Sequence, residues 1–215
     1  MFALRTAITM FATFVWVHDL TPEDIRIVEA SAVDLVERIL TPRPVLKGRQ
    51  KWQTPTDLHK RPEFERLNEL VLEASEEVLK FLSVEPAPLE ITGAWANVSP
   101  TGASHHSHTH PNNFLSFVYY PAAQPTGSTI EFHDPRPQAH VIAPPVAKKT
   151  PANAATITVA AQGGRLIGFP SWLEHSVPEN RAGRERMSIA LNVMFSAPIG
   201  RPRWSGPHGL DPAAG

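Results

Sequence analysis

The chain is predicted to be mainly β with a helical N-terminal half, and three observations carry that reading. In the first 85 or so residues, apolar side chains recur at spacings of three and four, the period of a helix with one buried face. From Glu90 onward the pattern changes to short β-rich runs punctuated by Pro, Gly, Ser and Asn, as in a sandwich or barrel. A dense histidine cluster stands just before one of these runs, and a further histidine follows the end of another.

The elements follow in order. Met1–Val17 is apolar with a single arginine, the composition of a secretory leader. Thr6, Thr9 and Thr13 interrupt it and no small-residue cleavage site follows, so a strand over Phe11–Val17 is expected instead. Thr21-Pro-Glu-Asp supplies an N-cap, a proline at the first helical position and two acids for the positive end of the helix dipole. The helix it opens carries Ile25, Val28, Ala32, Leu35, Val36 and Ile39 on one face and stops at Thr41-Pro-Arg-Pro. Pro62 opens a second helix, with Phe64, Leu67, Leu70, Val71, Val78, Leu79 and Leu82 on one face. Strands are predicted over Glu90–Val98, Phe114–Tyr120, Ser128–His133, Thr156–Ala160, Arg165–Phe169 and Met187–Phe195. The Pro- and Ala-rich segment Asp134–Pro151 is too long for a plain connection and is either an active-site cover or disordered. One domain is expected over residues 1–195, with helical support over about 20–85, a β-core over about 88–195 and a flexible tail over 196–215.

Composition narrows the chemistry. With 20 basic and 21 acidic residues the chain has no broad charged footprint for nucleic acid or an anionic membrane, so a small-molecule partner is expected. It has no cysteine, which excludes disulfides, thiolate ligands and a cysteine nucleophile. Any metal site must therefore use histidine and oxygen ligands. No apolar run reaches the ~18 to 20 residues of a membrane span, and a cytoplasmic location is expected.

His105-His-Ser-His-Thr-His110 packs four of the ten histidines into six positions. In extended chain alternate side chains share a face, so His106, His108 and His110 form one row and His105 points away. Two such imidazoles, with a third ligand from a distant strand, make a facial site with open positions. His175 is the distant candidate, at the end of the run Arg165-Leu-Ile-Gly-Phe-Pro-Ser-Trp-Leu-Glu. Arg186 and Ser188 then share a strand face, and a guanidinium fork beside a hydroxyl suits a carboxylate. Singly, each of these residues has a bland alternative: a solvated loop, a turn histidine, an edge charge. Their order along the chain favours a site.

The stretch Trp95–Asn192 resembles the 2-oxoglutarate and iron(II)-dependent oxygenases, and within them a small bacterial and phage group with a His-x-His-Pro strand entry; Trp52-Gln-Thr and Asp57-Leu extend the likeness. The resemblance implies a double-stranded β-helix (jelly roll, cupin-like) with two supporting helices. It also implies Fe(II) held by His108, His110 and His175, and 2-oxoglutarate bound through its distal carboxylate to Arg186, Ser188 and Tyr120. Asn97, Trp95, Asn192, Ser116 and Arg136 are expected around the pocket or the substrate. The superfamily's His-x-Asp becomes His108-Thr-His110 here, so an imidazole stands where a carboxylate is usual, and His106 is the substitute ligand.

The activity implied is oxidation, usually hydroxylation, of a small molecule such as an amino acid or specialised metabolite, using molecular oxygen and giving succinate and CO2 as coproducts. Two other readings compete. One is a three-histidine cupin dioxygenase that needs no 2-oxoglutarate; the other is a non-catalytic metal-binding β-sandwich.

Overall fold

The computed structural model describes residues 5–43, 45–46 and 50–197. The expected flexible tail lies outside the described residues from position 198 onward.

Strand β1 is Trp16–Asp19 and pairs only with the stretch 165–168. It is shorter than the predicted Phe11–Val17 because the chain before Trp16 has no ladder partner. Helix α1 (Pro22–Val28) begins as expected, with the Asp24 N–H donating to Thr21 Oγ1 at 3.1 Å. It runs through a π turn (Glu29–Val33) into α2 (Asp34–Ile39). The wider turn advances the buried stripe to every fourth residue, Val28, Ala32, Val36 and Leu40, and leaves the predicted Ile39 exposed. Strand β2 (Trp52–Gln53) follows, and Pro62–Phe64 forms a 3₁₀ turn that leads into α3 (Glu65–Phe81). On α3, Leu67, Val71, Ala74, Val78 and Leu79 are buried at helical spacing.

The remaining strands are β3 (Leu89–Ser99), β4 (His105–His108), β5 (Leu115–Tyr120), β6 (Thr129–His133), β7 (Thr156–Ala160), β8 (Arg165–Pro170), β9 (His175–Val177) and β10 (Arg186–Phe195). They form a six-stranded sheet, ordered β1-β8-β5-β10-β3-β2, and a four-stranded sheet, ordered β4-β9-β6-β7. All named strand pairs are antiparallel. Two such sheets facing each other, with helices on one outer face, make the expected jelly roll.

Period-two alternation divides the labour of the larger sheet. Phe117 and Tyr119 on β5, Ile189, Leu191 and Val193 on β10, and Ala94, Ala96 and Val98 on β3 join the helices in one buried cluster. Their β5 neighbours Val118 and Tyr120, with Ile167 and Phe169 of β8, turn to the other side and pack with Ile130 and Phe132 of the smaller sheet. Gly168 serves this arrangement: a Cβ there would lie 2.4 Å from Phe117 Cε1, inside the van der Waals limit. The face opposite the helices is where β3 and β10 carry polar residues. That face becomes the floor of a cavity between the sheets.

Candidate active site

Three of the predicted metal ligands converge. His108 on β4 lies directly across from His175 on β9, and His110 follows β4, with its N–H donating to Ser171 O at 2.8 Å. One ring nitrogen from each of His108, His110 and His175 lies within 4.8 Å of the others. The ring centroids are separated by 4.3 Å for His108 and His175, 5.2 Å for His108 and His110, and 5.1 Å for His110 and His175.

Hydrogen bonding prepares the rings for a metal. His108 Nδ1 lies 2.9 Å from His106 O, and His175 Nδ1 lies 2.9 Å from Leu173 O. A carbonyl only accepts, so each Nδ1 carries the proton and Nε2 keeps its lone pair. Burial holds the imidazoles neutral: it pushes His175 down to about 3 and His110 to about 4, and lowers His108 as well. Phe169, with its ring 4.6 Å from that of His175, is part of the apolar wall responsible. A compact set of neutral imidazoles fits a divalent transition metal.

His105 departs from the expected row. It pairs opposite Val177 while His108 pairs opposite His175, so three steps on β4 span two on β9. The irregularity breaks the two-residue alternation and brings His105 onto the face of His108, with ring centroids 4.0 Å apart. His106, the substitute ligand, is exposed and lines no part of the cavity. Lys51 joins His105: its Nζ lies 3.0 Å from Nδ1 and 2.9 Å from Nε2. Burial lowers this ammonium to about 8, leaving it charged at neutral pH.

Arg186, Ser188, Tyr120, Asn97 and Trp95 all line the same cavity as the histidines. Arg186 opens β10 and is only 6% exposed. It donates to Pro178 O at 3.1 Å and has no ion-pair partner among the described residues. Burial weakens the hold on its proton, but a guanidinium remains charged at any working pH. Burial raises the Tyr120 phenol, which stays protonated and able to donate. Asn97 Oδ1 is buried without a hydrogen-bond partner among the described residues. Among the described residues, no aspartate or glutamate lines this cavity.

Three predicted residues stand elsewhere. Ser116 and Asn192 share the face of the cavity floor but lie further along their strands, outside the lining, where Ser116 Oγ donates to Asn192 Oδ1 at 2.9 Å and lies 2.8 Å from Ser171 Oγ. Since Ser171 also holds the His110 N–H, this buried cluster supports the metal end from behind. Arg136 is exposed and makes a two-pronged ion pair with Asp134, apart from the cavity lining. Sequence reasoning missed Lys51, His105 and Ser99. The available signal for Lys51 was its place beside Trp52-Gln53, the edge strand that pairs with Val98 and Asn97.

An imidazole cluster that fits a divalent transition metal and a buried guanidinium, with no ion-pair partner among the described residues, share one cavity of the jelly roll. Residues 93–192 match a family model described as "Putative 2OG-Fe(II) oxygenase", a stretch that holds every cavity residue except Lys51. The β-core is that of a 2OG-Fe(II) oxygenase; the protein is an oxidoreductase with iron(II) as cofactor and 2-oxoglutarate as cosubstrate. Among solved structures, it is similar to a Pseudomonas putida prolyl-4-hydroxylase, with TM-score 0.58, 16% identity, and coverage of 86% of this chain and 94% of that one. It is also similar to HygX from Streptomyces hygroscopicus, solved with nickel and 2-oxoglutarate bound (TM-score 0.59, 12% identity, coverage 86% and 83%). AviO1 from Streptomyces viridochromogenes Tue57 is a third (TM-score 0.56, 18% identity, coverage 86% and 90%). At these identities the likeness concerns the fold. No curated protein sequence matches the chain. Among the described residues no helix is long and apolar enough to cross a membrane.

Proposed function

We propose that the protein, acting as a single domain, hydroxylates or otherwise oxidises a small molecule, with His108, His110 and His175 holding the iron. Arg186, Ser188 and Tyr120 take the distal carboxylate of 2-oxoglutarate. The observation that carries the assignment is the buried Arg186, without a carboxylate partner among the described residues, in the cavity that also holds the imidazole cluster. A desolvated cation of this kind is stabilised by an anion reaching it through the cavity. Ser188, two residues along β10, and the protonated Tyr120 supply further donors for the same group.

Bound iron(II) and 2-oxoglutarate supply the oxidising chemistry: one atom of O2 goes to the substrate and the other to succinate, with release of CO2. The protein binds, orients and excludes water. Val118, Ile130, Val177 and Ala190 give the cavity its apolar walls. Nδ1–H donation to the backbone fixes the ring planes of His108 and His175 before any metal arrives. The segment 134–151 leaves β6 where the His133 N–H meets Glu174 O, next to His175, so a substrate at the metal end lies beneath its root.

The all-histidine ligand set suits a cupin dioxygenase, but that reading leaves Arg186 without a task, as does a non-catalytic sandwich. Adding 2-oxoglutarate to the anaerobic iron(II) protein tests the proposal. A visible metal-to-ligand charge-transfer band is expected; no band on addition counts for the cupin reading.

A further inference from the structure

The cavity holds a second cation that the cosubstrate does not require. Lys51 immediately precedes the edge strand β2, one residue before the Trp52–Val98 pair, and lines the same cavity as the histidines. Its partner is His105, a neutral ring whose single acceptor nitrogen can receive one of the three ammonium N–H groups. Nζ lies at nearly equal distances from both ring nitrogens, so the ammonium is not committed to either lone pair. No acidic side chain among the described residues pairs with Lys51, and none lines the cavity.

Charge counting then points to the substrate. Iron(II) brings two positive charges, and Arg186 and Lys51 bring one each. Imidazole ligands bring none. The dianionic cosubstrate cancels two of the four, and of the two that remain the charge on Lys51 is offset by no acidic side chain among the described residues. Lys51 belongs to the metal end: its Nζ lies 2.9–3.0 Å from the nitrogens of His105, whose ring centroid is 4.0 Å from that of His108. The remaining anion must therefore arrive with the molecule that sits beside the metal.

We infer that Lys51, seated on His105, anchors a carboxylate of the substrate, so that the protein acts on a carboxylate-bearing small molecule. A carboxylate matches one ammonium in charge and accepts the N–H groups that His105 leaves free. The inference rests on the cosubstrate assignment above, in which Arg186 is already engaged by 2-oxoglutarate. Lys51 is here a specificity residue.

The test uses full-length protein loaded with nickel(II) and 2-oxoglutarate, so that binding is read without turnover. Calorimetric titrations compare hexanoate, 3-phenylpropanoate and N-acetylglycine with their primary amides. At least one acid is expected to bind about tenfold or more tightly than its amide. Lys51→Met should reduce that preference to about threefold or less, Lys51→Arg should keep it, and neither should shift 2-oxoglutarate affinity by more than about threefold. Thermal melting confirms that both variants fold. The inference is overturned by acids binding no better than amides, by no acid binding at all, or by a preference that survives in Lys51→Met. A loss of 2-oxoglutarate binding in Lys51→Met also overturns it, by assigning Lys51 to the cosubstrate. Failure of the wild-type nickel protein to bind 2-oxoglutarate, or full binding by Arg186→Met, instead sinks the reading beneath it.

Discussion

Replacing Arg186 with methionine separates cosubstrate binding from metal binding and from stability. Methionine keeps an unbranched apolar stem of similar length and removes the charge. Removing one partner of a buried, hydrogen-bonded charge pair costs about 2–5 kcal/mol. The lower part of that range applies here, because Ser188 and Tyr120 retain their hydroxyls beside the carboxylate. A loss of about 2–3 kcal/mol weakens 2-oxoglutarate binding about 30- to about 150-fold. Stability responds differently. In the free protein Arg186 is a desolvated cation with one carbonyl partner and no counter-ion, so its loss should leave unfolding free energy within about 1 kcal/mol of wild type. The assay is calorimetric titration of 2-oxoglutarate into the nickel-loaded variant, beside a nickel titration and a denaturant melt. Binding of 2-oxoglutarate within about threefold of wild type, or parallel loss of nickel and cosubstrate, would refute the role given to Arg186.

Four further outcomes follow from the same geometry. His110→Ala should weaken nickel or iron(II) binding by at least about 100-fold, whereas His105→Ala should change it by less than about threefold; comparable losses would mean that the ligand set is misassigned. Because burial puts the folded-state values of His110 and His175 at about 4 and about 3, protons should compete poorly at these two ligands, and nickel affinity should fall between neutral pH and about 5.5 much less steeply than for three unperturbed imidazoles. The metal-free protein should lose stability as pH falls from about 6.5 toward 4, since the unfolded chain then takes up protons that the buried rings refuse. An acid-insensitive melting temperature across that window would contradict this. Gly168→Ala should destabilise by about 1–3 kcal/mol in guanidinium melts, because its Cβ meets the Phe117 ring; an unchanged midpoint would show that Phe117 moves aside freely.

Much of the scaffold was legible because its signals are local. The six predicted strands correspond to β3, β5, β6, β7, β8 and β10, with ends displaced by a residue or so, since each is bounded by turn-forming residues. Thr21 and Pro22 marked the start of the first helix through capping chemistry that involves only neighbours in sequence. The π turn was invisible, and so Ile39 was assigned to a face that Leu40 occupies. The short strands β2, β4 and β9 exist through pairing with distant partners and carry little apolar pattern of their own. That is why Lys51 was missed and His105 was placed on the wrong side. Facing in a strand can be read from parity until an extra residue intervenes, and between His105 and His108 one does. Ser116 and Asn192 show the complementary limit: the resemblance put them near the pocket, but not whether their face is cavity or buried support at their height along the strand.

The central claim, that the imidazole cluster and Arg186 together run 2-oxoglutarate-dependent oxidation, is met most directly by following 2-oxoglutarate in air with iron(II). Wild-type protein should convert it to succinate and CO2 in equal amounts, in an iron-dependent manner. His175→Ala should abolish the conversion, and Arg186→Met should restore it only at far higher 2-oxoglutarate. No iron-dependent succinate from the wild type with any substrate supplied, or equal rates in all three proteins, would contradict the account.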